Sequence, residues 1–153
     1  MGTYAQNTSV PSERTRAEIE KTLERYGATT FSYARQAERA MVLFVMNGRQ
    51  IRFTMDLPTT SDFARTPTGR SRTREAAATE ASKAERQRWR ALLLIVKAKL
   101  EAVESGIVTF EEEFLAHTLL PSGNTVYEDL NERITDAYVQ GTVAPLQIGR
   151  ASE

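Results

Sequence analysis

Arginines are the residues of this chain that indicate a chemical role most clearly. They are concentrated between positions 65 and 90, beside the single tryptophan. The group consists of Arg65, Arg70, Arg72, Arg74, Arg86, Arg88, Trp89 and Arg90. Guanidinium groups bind phosphate oxygens through several N–H donors, and an indole ring can stack on a base. Arg-rich segments often become ordered when they bind nucleic acid. The group therefore predicts a nucleic-acid-binding segment.

The charge of the chain is unevenly distributed, although the net charge of its 153 residues is zero. Residues 1–64 carry a net charge of +1, residues 65–100 carry +7, and residues 101–153 carry −8. Two interpretations stay open. The basic block can bind an anionic partner, or it can face the acidic block, within one molecule or across a homodimer. Zero net charge excludes only a uniformly basic nucleic-acid binder.

Acidic side chains give only a weak indication of a catalytic or metal-binding site. Glu113 and His117 are one helical turn apart, a spacing that can hold a metal or transfer protons, but the chain has no second histidine. Asp56, Glu112 and Lys97 could form a metal-dependent nuclease site if the fold brought them into one cleft.

Several kinds of active site are excluded by composition and motif. The chain has no cysteine, which excludes disulfides, thiolate zinc sites and a cysteine nucleophile. It contains neither a Walker phosphate loop nor a GxSxG nucleophile motif. The sequence thus favours a non-enzymatic protein, with no catalytic residue, no metal and no cofactor.

The N-terminal part predicts a helix followed by three strands. A helix is expected from Ser12 to Tyr26, because Pro11 is typical of a helix start and Gly27 of a helix end. Strands are expected over residues 29–34, 40–46 and 49–57, with a polar turn over residues 35–38.

Asn47-Gly48 gives the clearest local signal, because both positions of a two-residue type I′ turn require a positive φ. This turn would place Phe44 opposite Ile51 and Val42 opposite Phe53. The hairpin would then have one apolar face for the core and one mixed face.

Residues 58–83 have a different composition, with two prolines, Gly69, four arginines and few large apolar side chains. This composition predicts a long, mobile, basic loop, with a turn to helix near Glu75 as an open alternative.

Three capping-box patterns predict helices in the C-terminal part. They are Ser82-x-x-Glu85, Thr109-x-x-Glu112 and Thr125-x-x-Glu128. The first helix should extend to about residue 105, the second to about 117 and the third to about 140. The apolar residues of the first helix recur at helical spacing and include Trp89, a phase that favours a core position for the indole.

Together these elements predict one α+β domain over residues 1–153. We expect an N-terminal helix, a three-stranded antiparallel sheet with an Asn-Gly hairpin, a long helix packed on the sheet, and two further C-terminal helices. Residues 1–10 are expected to form a flexible arm and residues 142–153 a flexible tail. A polar N-terminus and the absence of a long apolar run predict a soluble, cytoplasmic protein with no membrane partner.

Three segments carry a resemblance to known proteins. They are residues 46–53 (MNGRQIRF), 97–107 (KAKLEAVESGI) and 109–117 (TFEEEFLAH). Here the sequence resembles small uncharacterised proteins of temperate phages and prophages, and the similarity extends over most of the chain. The resemblance implies a phage-type origin and a bacterial host cell, and it transfers no activity and no catalytic residue.

Two functions follow as hypotheses. The first is a non-enzymatic phage-type accessory protein that binds nucleic acid through its Arg-rich loop and helix. The alternative is a protein–protein interaction module, an adaptor or inhibitor of a host complex, acting through the acidic C-terminal helices. A homo-oligomer is compatible with both.

Overall fold

The computed structural model describes residues 10–141. Its elements are α1 (Ser12–Arg25), β1 (Thr30–Gln36), β2 (Arg39–Met46), β3 (Arg49–Asp56), α2 (Arg74–Glu104), α3 (Phe110–Glu113) and α4 (Val126–Val139). Short 3₁₀ turns lie at Thr60–Phe63 and Leu115–His117. The predicted α+β fold is confirmed. The predicted arm, except Val10, and the predicted tail lie outside the described residues. Among the helices of residues 10–141, none is both long and apolar enough to cross a membrane.

The three strands form one antiparallel sheet in the order β1-β2-β3. The predicted hairpin register is confirmed, with Phe44 paired to Ile51 and Val42 to Phe53. Asn47 has a φ of 50° and Gly48 a φ of 71°, as the tight turn requires.

The turn between β1 and β2 is shorter than the predicted polar segment over residues 35–38. Strand pairing continues to Gln36 and Arg39, so only Ala37 and Glu38 remain between the strands. Ala37 adopts a φ of 50°, a strained value for a residue with a Cβ atom. The sequence placed this turn correctly but not its tight bounds, because it carries neither glycine nor asparagine.

One face of the sheet is covered by α1 and α2 and forms the core. The sheet contributes side chains at alternate positions, including Val42, Phe44 and Ile51, each with an exposed fraction of 2% or less. Two leucines from the helices, Leu23 and Leu93, have exposed fractions of 0%. Each such side chain stabilises the fold by roughly 1.5–3 kcal/mol relative to an exposed position.

Trp89 lies at the centre of this core with an exposed fraction of 0%. Its ring packs edge-on against Tyr33, with the ring centroids 5.4 Å apart. The Arg16 guanidinium lies over both rings, 4.4 Å from the centroid of Tyr33 and 5.2 Å from that of Trp89. The predicted contact of Trp89 with nucleic acid is therefore wrong, because its faces are already occupied by protein.

The long helix begins earlier than predicted, at Arg74 instead of Ser82. Thr73 is the N-cap, and its side chain accepts a hydrogen bond from the Ala76 N–H at 3.1 Å. Five of the ten residues 75–84 are alanine, the best helix former, so the helix continues through them. Ser82 lies inside the helix and accepts a hydrogen bond from Arg86. The true cap was missed because alanine, not Glu or Gln, stands three residues after Thr73.

The chain after α2 returns to the edge of the sheet and is fixed there. The predicted capping boxes at Thr109 and Thr125 are both confirmed. The Leu119 N–H donates to the Gln50 carbonyl at 2.9 Å, which extends the pairing beyond β3. Arg52, on the outer face of the sheet, donates to both carboxylate oxygens of Glu128 at 2.8 Å. These contacts attach the start of α4 to β3.

We expect Trp89→Ala to lower the free energy of unfolding by about 3–5 kcal/mol, because it leaves a large cavity between α2 and the sheet. Trp89→Phe should cost clearly less, since it keeps an aromatic ring and removes an indole N–H that has no hydrogen-bond partner among the described residues. Urea unfolding followed by circular dichroism measures both values. Equal stability of Trp89→Ala and the wild type would contradict the core position of this residue.

Candidate nucleic-acid interface

The segment between the sheet and α2 has a defined backbone. Thr59 and Asp62 form a capping box on the 3₁₀ turn Thr60–Phe63. The Thr66 N–H then donates to the Arg70 carbonyl at 2.7 Å, and the Arg72 N–H donates to the Ala64 carbonyl at 2.8 Å. Residues 64–73, here called the basic loop, thus fold back on themselves in a narrow, hairpin-like turn before α2. The predicted mobility of this segment stays a prediction, whereas the predicted loop over residues 74–83 is wrong because these residues are helical.

Arg72 supports the basic loop from within. Its Nη1 donates to the Phe63 carbonyl at 3.3 Å and to the Arg65 carbonyl at 3.0 Å. The side chain is half-buried. Arg72 therefore holds the two ends of the loop together, and the structure does not present it as a free phosphate ligand.

Arg86 and Arg90 are also held by contacts within the protein. Arg90 donates to a carboxylate oxygen of Glu18 on α1 at 3.0 Å. Arg86 lies one helical turn before Trp89, on the same side of α2, and donates to the Ser82 hydroxyl at 3.0 Å. Its Nε is buried. Helix phase turns both arginines toward the protein.

Four of the predicted arginines remain exposed: Arg65, Arg70, Arg74 and Arg88. None of them forms an ion pair with another residue in the described part of the chain. Arg65 donates to the Gly69 carbonyl through Nη1, which leaves its other N–H groups available.

Arg65, Arg70 and Arg74 come from the basic loop and the first turn of α2, and we call them the basic tip. Arg65 and Ser71 form a β-bridge, and Arg74 is the first residue of α2. The N-terminus of a helix carries a partial positive charge from its aligned peptide dipoles, so the tip lies where anions are favoured. Arg88 is 14 positions farther along α2 than Arg74, about 21 Å at the usual helical rise.

The other half of the basic block is neutralised within the molecule. Glu18 on α1 accepts hydrogen bonds from both Arg90 and Lys97, each at 3.0 Å. The hydrogen bond from Lys97, aided by the charges of both cations, lowers the pKa of Glu18. Lys99 pairs with Glu113 at 3.0 Å, which is the single ion pair between the basic and acidic blocks within residues 10–141. The basic block therefore meets the acidic block through this one ion pair, Arg90 and Lys97 are paired with an acid of α1, and an anionic partner for the remaining arginines stays a prediction.

His117 is part of the apolar packing. Its ring stacks on Phe53 with the centroids 4.2 Å apart. Burial lowers its pKa, the Lys99 cation lowers it further, and Glu113 acts in the opposite direction. Because the Glu113 carboxylate accepts a hydrogen bond from Lys99, it does not form the metal-binding pair with His117 that the spacing allows.

The three residues of the nuclease hypothesis are each held by a different partner. Asp56 pairs with Arg39 at 3.3 Å, Glu112 accepts a hydrogen bond from the Thr109 N–H, and Lys97 binds Glu18. Over residues 10–141, no group of three or more His, Asp or Glu side chains is placed to hold a metal ion. The structure gives this hypothesis no support.

Comparison with known proteins adds no functional information. No protein-family model matches the chain, and no match was found among curated proteins or solved structures.

His117 should make stability depend on pH. Because burial lowers its folded pKa, the unfolded chain binds a proton at a higher pH than the folded chain does. Its contribution is complete above the unfolded pKa of about 6.5 and is lost as the pH falls through this value toward the folded pKa. We expect the urea midpoint to fall between about pH 7.5 and 5.5, where most carboxyl groups stay ionised.

His117→Phe is the matched control, because it keeps a ring against Phe53 and removes the only histidine of the chain. Its urea midpoint should change less over the same pH range. An identical pH dependence in the two proteins would contradict this assignment.

Proposed function

We propose that the protein binds nucleic acid through the basic tip and acts as a non-enzymatic accessory protein of phage type. The observation that carries this proposal is that Arg65, Arg70 and Arg74, three arginines of one short segment leading into α2, are exposed and form no ion pair within the described residues. The phage-type role follows from the resemblance of the sequence alone.

The guanidinium groups of the basic tip are suited to binding phosphates. Each guanidinium can donate two N–H groups to one phosphate, and each contact releases a condensed counterion. Arg88 offers a further contact along α2. Since Trp89 is buried, no aromatic side chain of the predicted group is left to stack on bases. We therefore expect recognition of the nucleic-acid backbone with little sequence preference.

The strength of binding should be moderate. Glu75, in the first turn of α2, is exposed beside Arg74 and reduces the local positive charge. Three to four phosphate contacts are fewer than those of strong non-specific binders, so binding should be clearest at low salt.

Fluorescence anisotropy with labelled single-stranded DNA, duplex DNA and single-stranded RNA tests the proposal. Replacing Arg65, Arg70 and Arg74 by Gln should abolish or strongly weaken binding at about 50 mM salt. For the wild type, log Kd should vary with log salt more steeply than for the variant, by about two to three units, because each phosphate contact contributes roughly 0.7–0.9.

The matched control replaces three exposed basic residues of α1, Arg14, Lys21 and Arg25, by Gln. This variant has the same net charge as the tip variant and should bind nearly as well as the wild type. No binding of any probe by the wild type at low salt would overturn the proposal, as would equal losses in the two variants.

A protein–protein interaction is the second candidate function, and exposed acids on α4 favour it. Glu132 and Asp136 are exposed on the same side of this helix and form no ion pair among the described residues. By contrast, Glu112 caps α3 and Glu113 binds Lys99. If the chain adapts or inhibits a host complex, the acids of α4 are better placed than those of α3 to contact a basic partner.

A pull-down from bacterial lysate compares Glu132→Gln/Asp136→Asn with Glu20→Gln/Glu24→Gln on α1. Loss of a specific partner with the first pair alone would support this second function. Equal recovery by the two variants would count against it.

A further inference from the structure

Among the described residues, the contacts that attach helix α4 to the rest of the molecule lie at its first turn. Thr125 and Glu128 form its capping box, Glu128 binds Arg52, and the Val126 N–H donates to the Thr118 carbonyl. Every residue from 127 to 141 is exposed. An isolated helix of fewer than about 12–15 residues is marginal in water, and α4 has 14. A packing partner would remove this weakness.

One side of α4 is apolar along its whole length. The α4 stripe consists of Val126, Tyr127, Leu130, Ile134 and Tyr138, which fall within about 120° of the helix circumference. The exposed fractions are 58% for Tyr127, 38% for Leu130, 51% for Ile134 and 65% for Tyr138. A contiguous apolar surface of this kind is typical of an interaction site.

We propose that the α4 stripe packs against the α4 stripe of a second copy of this chain, with the two helices antiparallel. Four of the five stripe residues are symmetric about position 132, because Leu130 and Ile134 are equally far from it, as are Val126 and Tyr138. An antiparallel pair centred there places Leu130 against Ile134 of the second copy and Val126 against its Tyr138. A two-fold axis makes such an interface self-complementary.

The charges beside the stripe fit the same arrangement. Asp129 and Arg133 lie on one flank of the stripe, one turn apart. In an antiparallel pair, each Arg133 comes beside Asp129 of the other copy, which gives two ion pairs of opposite charge. Glu132 and Asp136 lie on the opposite side of α4 and stay in water, and Glu128 on that side is paired with Arg52. Their negative charges therefore do not oppose each other across the interface.

The dimer should be reversible. Two helices of this length cover less than the roughly 800 Å² per partner that stable interfaces bury. Its formation does not depend on nucleic acid, so it stands apart from the proposed binding by the basic tip. A dimer would also carry two basic tips, and one nucleic acid that contacts both would bind more tightly than either alone.

Sedimentation velocity over a wide range of protein concentrations, without nucleic acid, tests the proposal. The wild type should shift from monomer to dimer as its concentration rises. Leu130→Lys/Ile134→Lys should stay monomeric at every concentration. The control Ile107→Lys/Leu115→Lys changes two exposed apolar residues outside α4 and should dimerise like the wild type.

A charge exchange tests the antiparallel orientation of the two α4 helices and leaves the apolar residues of the stripe unchanged. Asp129→Arg alone should weaken the dimer, because it faces Arg133 of the second copy. Asp129→Arg with Arg133→Asp should restore it, since opposite charges meet again. Circular dichroism checks that each variant keeps its helix content.

Three outcomes would overturn the proposal: a wild type that is monomeric at all concentrations, equal weakening by the control, or no restoration by the charge exchange. Anisotropy with the Leu130→Lys/Ile134→Lys variant separates this result from the proposed function. Weaker nucleic-acid binding by that variant would show that the two tips act together, whereas unchanged binding would leave each tip acting alone.

Discussion

The packing of α2 across one face of the sheet, centred on Trp89, determines where every other side chain of this helix points. Trp89 is enclosed by Tyr33 and Arg16, so rotation of the helix about its axis would expose the indole. With that phase set, Arg90 reaches Glu18 on α1, and Arg86 lies against the protein one turn earlier. Arg88, adjacent to Trp89 in the chain, faces solvent. The apolar packing of Trp89 therefore determines which arginines of α2 contact the rest of the protein and which face solvent.

The charges that sum to zero over the chain therefore lie in different parts of the structure. The C-terminal half of α2 is neutralised by Glu18 and Glu113, two acids that lie far apart in the chain. Around the N-terminus of α2, the arginines have no such partners among the described residues. The acids of α4 project from the other end of the chain, past the attachment at Arg52. Within residues 10–141, exposed arginines without ion pairs thus lie around the start of α2, exposed acids lie on α4, and the cations in the C-terminal half of α2 are paired.

Two surfaces have no partner among the described residues of the single molecule, and their chemistries differ. The basic tip is polar, is reinforced by the helix dipole, and suits a phosphate chain. The α4 stripe is apolar and symmetric, and suits a copy of itself. Because the acidic side of α4 would repel nucleic acid, the two surfaces do not compete for one ligand. A protein that pairs through α4 and binds phosphates through its tips would use both.

Local patterns in the sequence determined the hairpin at Asn47-Gly48, its register and two capping boxes, because the predicted partners in each are at most 11 residues apart. They placed the turn between β1 and β2 without its exact bounds, and they missed the cap at Thr73, which lacks a Glu or Gln three residues later. The positions of the arginines were visible in the sequence, but which of them are free was not. Arg90 meets Glu18 across 72 positions of the chain, and Arg72 closes a loop through backbone carbonyls. Only the tertiary structure decides such pairings, because they depend on the phase and placement of whole helices.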